Sequence, residues 1–405
     1  MTGGTFESLS IPAFRRLWIG GLLYFLSIFA QMIARGALAK ELTGSNAALG
    51  AVTLAFGLTG IVSTPLGGVA ADRFPKRTVM QIASGLLLTS SLWIALAVQF
   101  DVIEFWMLLV ASAIQSVGFS GLAPARMAFT AEIVGRDLIA NGVVLSQISM
   151  NVNRVAGPVI AGVMLAAPAA GISGVYWLGT ALTAASMLLF ATLPSGAPAP
   201  DAARRSPVAE VVGGVRYAAN DQTLRLLLVT STLIIMLGFS YVAFLPSVAE
   251  DFFQQGSSGF AWLSALAAIG GLIASLLVAG RASGEIAWRI QLWAAVGFGV
   301  GVAALGWAPT FALALAISLP LGAATAAFQS MNATLMLVAA EPEYHGRMQS
   351  LLQLGFNLFG IAAYPMGVLA DWWGLRETLV AMGILTALVG LASGLLRSSV
   401  TAGDP

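Results

Sequence analysis

The sequence LWIGGLLYFLSIFAQMIARGALA, residues 17–39, carries a single charged side chain, Arg35, and is long enough to cross a bilayer as one helix. A hydrocarbon core of about 30 Å requires roughly 20 apolar residues of helix. Only helices and closed barrels satisfy their backbone hydrogen bonds in lipid, and runs of this length without alternating polarity argue against barrel strands. Eleven further runs follow near residues 45–70, 79–99, 104–125, 141–166, 172–193, 223–248, 258–280, 287–308, 310–338, 348–370 and 377–396. The sequence therefore predicts an all-α membrane protein with twelve transmembrane helices.

The composition excludes several classes of function. Of 405 residues, 58% are hydrophobic and 9% charged, whereas soluble domains carry about a quarter charged residues. The net charge of +1 gives no basic surface for nucleic acid. The chain has no cysteine and one histidine, His345, so no metal site is expected, and no cofactor is predicted. There is no phosphate-binding loop or catalytic triad, which argues against an enzyme and against ATP-driven transport.

The basic residues are distributed unequally between the two sides of the predicted helices. Two of them, Lys40 and Arg376, fall on one side, together with a run of acidic residues. Fifteen of the 19 fall on the other side: Arg15, Arg16, Arg73, Lys76, Arg77, Arg126, Arg136, Arg204, Arg205, Arg216, Arg225, Arg281, Arg289, Arg347 and Arg397. Cytoplasmic loops carry such an excess of Lys and Arg. Both termini are therefore expected in the cytoplasm, and residues 1–16 do not resemble a cleavable signal peptide.

The chain divides into two halves that resemble each other. The polar stretch 195–222 is expected to be a cytoplasmic linker between an N-terminal six-helix bundle, 1–194, and a C-terminal one, 223–405. LSQISMNVNRVAGP at 145–158 aligns with LLQLGFNLFGIAAY at 351–364, which pairs Gln147 with Gln353 and Asn151 with Asn357. Two parallel six-helix repeats in a transporter surround a substrate site near the bilayer midplane. The repeat predicts two pseudo-symmetric bundles.

The turn after the second apolar run reads GVAADRFPKR, residues 68–77. It resembles the G-x-x-x-D-R-x-G-R-R signature of the major facilitator superfamily, with Pro75 where the family often has Gly. Gly68 would allow close helix packing, and Asp72 would cap a helix or pair with an arginine. The resemblance implies that Asp72 contacts the eleventh predicted span and an arginine of the fourth, for which Arg126 is the candidate. The predicted latch therefore comprises Gly68, Asp72, Arg73, Lys76, Arg77 and Arg126. A turn that only follows the positive-inside rule is the alternative.

The fifth apolar run contains Gly157, Pro158 and Gly162 in the order G-P-x-x-x-G. This resembles the Gly-Pro antiporter motif of exporters in the superfamily, although Gly and Pro also serve helix packing in membranes. The preceding Pro124-Ala125-Arg126 and Asn153-Arg154 make the order similar to the enterobactin-exporter-like branch. The resemblance implies drug, siderophore or metabolite efflux.

Polar side chains within the spans are candidates for the substrate pathway. Arg154 is the strongest, because a basic residue at mid-helix costs about 2.5 to 3.5 kcal/mol unless it faces a cavity or a partner. Its spacing from Gln147, Asn151 and Pro158 predicts one inward helical face. Arg35 either lines the pathway or extends to the outer water. Five further residues either line the pathway or bond neighbouring helices: Gln115, Gln329, Asn332, Gln353 and Asn357. The candidate set is Tyr24, Gln31, Arg35, Gln115, Gln147, Asn151, Arg154, Gln329, Asn332, Gln353 and Asn357, with Ser27 on the same face of the first helix.

No Asp or Glu lies deep within a span. A neutral to basic cavity suits neutral amphipathic or anionic substrates better than organic cations. The sequence thus predicts a monomeric secondary transporter in the bacterial inner membrane. It would export small amphipathic or anionic molecules by alternating access, with the lipid bilayer as its surroundings and protons as the candidate coupling ion. Uptake or facilitated diffusion of a small solute is the alternative.

Overall fold

The computed structural model describes residues 6–167, 169–197, 207–278, 284–341 and 344–402. Within these ranges the chain is helical, without strands, and a short 3₁₀ turn, Glu7–Ser10, precedes the first long helix. The helices are α1 (Pro12–Thr43), α2 (Asn46–Arg73), α3 (Lys76–Gln99), α4 (Phe105–Gly135), α5 (Asp137–Ala166), α6 (Gly171–Ala191), α7 (Pro207–Asn220), α8 (Gln222–Phe252), α9 (Gly256–Val278), α10 (Gly284–Trp307), α11 (Phe311–Ala339), α12 (His345–Trp373) and α13 (Leu375–Ala402). Twelve of these described helices, all except α7, have the length and apolar composition of a membrane span. The predicted all-α class and the number of spans are confirmed.

The turn between the fourth and fifth spans is much shorter than the sequence suggested. The apolar runs predicted helices over 104–125 and 141–166, but α4 continues to Gly135 and α5 begins at Asp137. Gly135 has φ 72° and ψ 175°, a conformation that glycine adopts without steric penalty. The prediction was wrong here because a helix that has left the hydrocarbon core no longer needs apolar residues to continue.

The predicted linker contains a helix. Helix α7 packs against the residue directly before α12. The rings of Tyr217 and Tyr344 stack there with centroids 3.7 Å apart. The backbone N–H of Glu341 donates to the Tyr217 hydroxyl at 3.0 Å. Two basic linker residues used for orientation, Arg204 and Arg205, lie outside the described residues. Part of the linker is therefore fixed to the second half of the chain.

Packing divides the chain into two compact units. The first contains Met1–Leu38 and Thr59–Pro207, and the second contains Ala39–Leu58 and Val208–Pro405. The first half of α2 thus belongs to the second unit, while its second half belongs to the first. The core of the first unit includes Phe14, Tyr24, Phe25, Phe129 and Phe190, and that of the second includes Leu224, Leu227, Met331, Met336 and Met348.

Candidate transport site

Arg35 lies inside the first unit and is only 5% exposed. Its Nη1 donates to the Ser112 hydroxyl at 2.8 Å, and its Nη2 donates to the Gln115 side-chain oxygen, both on α4. Tyr176 of α6 lies beside the same guanidinium. The alternative in which Arg35 extends to the outer water is therefore wrong in this structure. A guanidinium can bind two acceptors at once, which suits it to join three helices.

A second polar network follows on the same face of α1. Gln31 donates to the Ser27 hydroxyl at 2.7 Å, and Ser27 donates to the Gly179 carbonyl of α6 at 2.9 Å. Tyr24 is fully buried, and its hydroxyl has no hydrogen-bond partner among the described residues. The stripe predicted from Tyr24 to Arg35 therefore does share one face. In this structure that face packs against α4 and α6.

Arg126 does not make the ion pair that the family resemblance implied. Its side chain is 4% exposed and its Cζ lies 5.0 Å from the centroid of the Phe25 ring. Within the described part of the chain, Nε and Nη1 have no hydrogen-bond partner, and no ion pair joins Arg126 to the exposed Asp72. The prediction was wrong because α4 continues nine residues beyond Arg126 to Gly135, which is about 13 Å of helix. Arg126 is therefore well inside the helix rather than at its end.

The basic residues of the 68–77 turn bind the chain just after α6. Lys76 is buried, and its Nζ donates to the Ala197 carbonyl and lies 3.5 Å from Glu132 Oε2. Arg77 Nη1 donates to the Leu193 carbonyl at 3.1 Å. Cations next to free carbonyls at a helix C-terminus are favourable. These two residues therefore fix α3 to the end of α6, while Arg73 is exposed.

Gly68 was expected to allow close helix packing, and this expectation was wrong. A Cβ added at Gly68 would meet no described atom of another helix within 4 Å. The neighbouring Gly67 is the closely packed residue, because a Cβ there would overlap the Ser120 carbonyl oxygen of α4. Successive residues point about 100° apart around a helix, so adjacent glycines face different neighbours. A role of the turn as a latch stays a prediction.

Helix α5 packs closely on α1 at the Gly-Pro motif. A Cβ at Gly157 would lie 2.5 Å from Phe29 Cβ and 3.1 Å from the Ala30 backbone nitrogen. Pro158 lies within the helix and is buried, as is Gly162. The packing role of this motif is therefore visible in the structure, and its antiporter role stays a prediction.

The polar face predicted for α5 is only partly present. Gln147 and Arg154 are exposed, Asn151 is half-buried and Pro158 is buried, so these side chains do not share one environment. Asn153 and Ser149 are fully buried, and neither the two amide atoms of Asn153 nor the Ser149 hydroxyl has a hydrogen-bond partner in the described part of the chain. Sequence reasoning did not select Asn153 as a site residue. The sequence did carry a signal for it, because Asn153 and Arg154 are adjacent polar residues within the apolar run 141–166.

The candidates of the second unit differ in exposure. Asn332 and Asn357 are buried, and the Asn332 amide lies 3.9 Å from Met336 Sδ. Gln329 is half-buried, whereas Gln353 is exposed like its repeat partner Gln147. Both glutamines of the repeat are thus exposed. The structure brings Gln31, Arg35 and Gln115 into the packed interior of the first unit.

Replacement of Arg35 by lysine is expected to lower the free energy of unfolding by about 2 kcal/mol, since a single ammonium nitrogen with a shorter reach would replace the two guanidinium nitrogens that bind Ser112 and Gln115 separately. Equilibrium unfolding in detergent measures this loss. Arg289→Lys serves as the control, because Arg289 is exposed and pairs with Glu285 at 3.7 Å. Equal stability of the two variants would contradict the structural role of Arg35.

Twelve spans with guanidinium and amide groups buried inside a helical unit are typical of a multi-pass membrane transporter. The chain belongs to the Major Facilitator Superfamily, which it matches over residues 17–360. It is thus a transporter rather than an enzyme, its twelve spans have the major facilitator fold, and the family resemblance is confirmed.

The relatives include transporters named for siderophores. The chain is 24% identical over 392 residues to the enterobactin exporter EntS of Shigella boydii serotype 18, which covers 93% of this chain and 92% of the relative. It is 23% identical to the staphyloferrin A transporter of Staphylococcus aureus over 80% of each chain. Among solved structures, the nucleoside transporter NupG has a TM-score of 0.77 at 15% identity, over 95% of this chain and 99% of NupG. This last likeness concerns the fold alone.

Proposed function

We propose that the chain exports small amphipathic or anionic molecules across the bacterial inner membrane by alternating access, coupled to protons. The observation that carries this proposal is the sign of the buried charges. Among the described residues, the buried charged side chains are Arg35, Lys76 and Arg126, and no Asp or Glu is buried. Lys76 lies 3.5 Å from Glu132 Oε2, whereas Arg35 and Arg126 have no carboxylate partner in the described part of the chain. Such uncompensated basic groups in a low-dielectric interior attract anions and repel cations.

The exposed polar residues of the spans support a water-filled path. Gln147, Arg154 and Gln353 are exposed on helices that are otherwise largely apolar. A charged or amide side chain is costly against lipid and is found where it faces water or a polar cavity. Arg154 is therefore the proposed contact for an anionic substrate.

The direction of transport is supported by the named relatives. Enterobactin is exported by one of them, and a second is named for staphyloferrin A. The distribution of Lys and Arg supports cytoplasmic termini in the inner membrane. Transport by the monomer is proposed. Uptake of a solute is the second candidate, because the repeated halves suit either direction.

The test measures the accumulation of a fluorescent catechol-type anion and a fluorescent organic cation in bacteria that lack their own efflux pumps. Expression of the chain is expected to lower accumulation of the anion only, and a protonophore is expected to abolish the effect. Efflux of the cation alone would contradict the basic pathway. Raised accumulation of the anion would indicate uptake instead.

Replacement of Arg154 by alanine is expected to reduce anion export at least about tenfold, since a hydrogen bond to a charged group contributes about 1.5 to 3 kcal/mol. Arg225→Ala is the control, because Arg225 is exposed at the start of α8 and donates to the Ala219 carbonyl. Both variants must reach wild-type levels in the membrane. Unchanged export by Arg154→Ala at such levels would remove this residue from the pathway.

A further inference from the structure

A second copy of the Gly-x-x-x-Asp pattern occurs at the end of α12. GVLADWWGLR at 367–376 places Gly, Asp and Arg at the same spacings as GVAADRFPKR at 68–77. The first copy ends α2 and the second ends α12. Helices α2 and α12 are the second and the eleventh span, so they run in opposite directions and their C-terminal ends lie on opposite membrane faces.

Asp371 binds the first residues of α2. Its Oδ1 accepts from the Asn46 backbone N–H at 2.8 Å and from the Asn46 side-chain amide at 2.9 Å. Its Oδ2 accepts from the Ser45 hydroxyl at 2.6 Å and from the Ala47 backbone N–H at 2.9 Å. The first N–H groups of a helix have no partner within the helix, and a carboxylate is favourable at that end of the helix dipole. Both carboxylate oxygens of Asp371 are therefore engaged by the start of α2.

Gly367 allows this contact because it has no side chain. A Cβ at Gly367 would overlap the Asn46 carbonyl oxygen and lie 2.9 Å from Ala47 Cα. The same close contact continues along both helices, since a Cβ at Gly360 would lie 2.6 Å from the Thr53 carbonyl oxygen. All these residues belong to the second unit. The first half of α2 is thus held against the α12 backbone within that unit.

We propose that Gly367 and Asp371 are positioning residues for transport, forming a latch on the membrane face opposite the 68–77 turn. They hold the first half of α2 on α12 in one state of the cycle and release it in the other. The second half of α2, from Thr59, belongs to the first unit, so the latch acts on a helix that continues from one unit into the other. This inference rests on the alternating access of the proposed function and uses none of its substrate assignment.

The absence of cysteine allows the latch to be tested with a single reporter. Leu49 of α2 is 2% exposed, and cysteine is smaller than leucine, so Leu49→Cys introduces a thiol that is covered while the latch is closed. The rate of its reaction with a membrane-impermeant maleimide is measured in the purified full-length protein. Asp371→Asn and Gly367→Ala are each expected to raise this rate about fivefold. Ser45→Ala, which removes one of four hydrogen bonds, is expected to raise it about twofold.

Two matched controls accompany these variants. Asp101→Asn makes the same charge change in the exposed turn between α3 and α4. Gly85→Ala adds a Cβ where no described atom lies within 4 Å. All variants are compared at a temperature below their unfolding transitions. A residue with only a structural role would lower the unfolding temperature without raising the labelling rate of the folded protein.

Labelling rates of Asp371→Asn and Gly367→Ala that equal those of the controls would overturn the latch. If either variant does not fold, the other variant and Ser45→Ala decide the outcome by the same criterion. Labelling does not depend on substrate. Raised labelling in a chain that exports no anion would therefore support the latch and contradict the proposed substrates, so the two proposals fail separately.

Discussion

Replacement of Arg126 by methionine is expected to stabilise the folded protein by about 1 to 3 kcal/mol and to reduce anion export at least about tenfold. Arg126 is buried without a carboxylate partner among the described residues, and two of its nitrogens make no hydrogen bond there. Methionine would fill a similar volume next to Phe25 without the cost of desolvating a charge. An ionisable residue that is unfavourable inside a membrane protein is typically functional.

Two measurements on one sample test this prediction: equilibrium unfolding in detergent and export of the fluorescent anion. Arg15→Met is the matched control, because Arg15 is exposed near the start of α1 and its loss should change neither quantity. A less stable Arg126→Met protein with normal export would show that Arg126 serves the fold and not transport.

Replacement of Gly322 by alanine is expected to destabilise the second unit by about 3 kcal/mol or more and to lower the yield of folded protein severely. A Cβ at Gly322 of α11 would overlap the Ala267 carbonyl oxygen of α9. The contact is reciprocal, since a Cβ at Gly270 of α9 would overlap the Leu319 carbonyl oxygen of α11. Small residues let membrane helices approach to backbone contact, and a backbone cannot move aside as a side chain can.

The control for this prediction is Gly297→Ala on α10. A Cβ there would lie 3.6 Å from Ala324 Cβ, an ordinary contact distance. Because alanine favours helix over glycine by about 1 kcal/mol, Gly297→Ala is expected to be neutral or stabilising. The amount of monodisperse protein after purification and its unfolding midpoint decide between the two glycines. Equal behaviour of both variants would contradict the packing explanation.

The shared polar face of α1 could be predicted from the sequence, whereas its place in a substrate pathway stays a prediction. The polar face of α1 from Tyr24 to Arg35 followed from helical spacing, and the structure places these side chains together. The partners of Arg35 could not be derived, because Ser112 and Gln115 are far away in the chain and their contact depends on how α4 is rotated. Asn153 was missed for the same reason. Which of two adjacent polar residues becomes buried depends on which face of α5 meets its neighbours.

The sequence by itself determined the helical class, the number of spans and the family. Span length, apolar content and the order of motif residues are properties of short stretches of sequence. They predict the fold class because the bilayer core requires apolar helices long enough to cross it. Only the tertiary structure decided that Arg126 faces Phe25 instead of pairing with Asp72, and that Asp371 holds the start of α2. These contacts join residues that are far apart in the sequence. Because successive residues of a helix point about 100° apart, the rotation of each helix decides which of its side chains face a neighbouring helix.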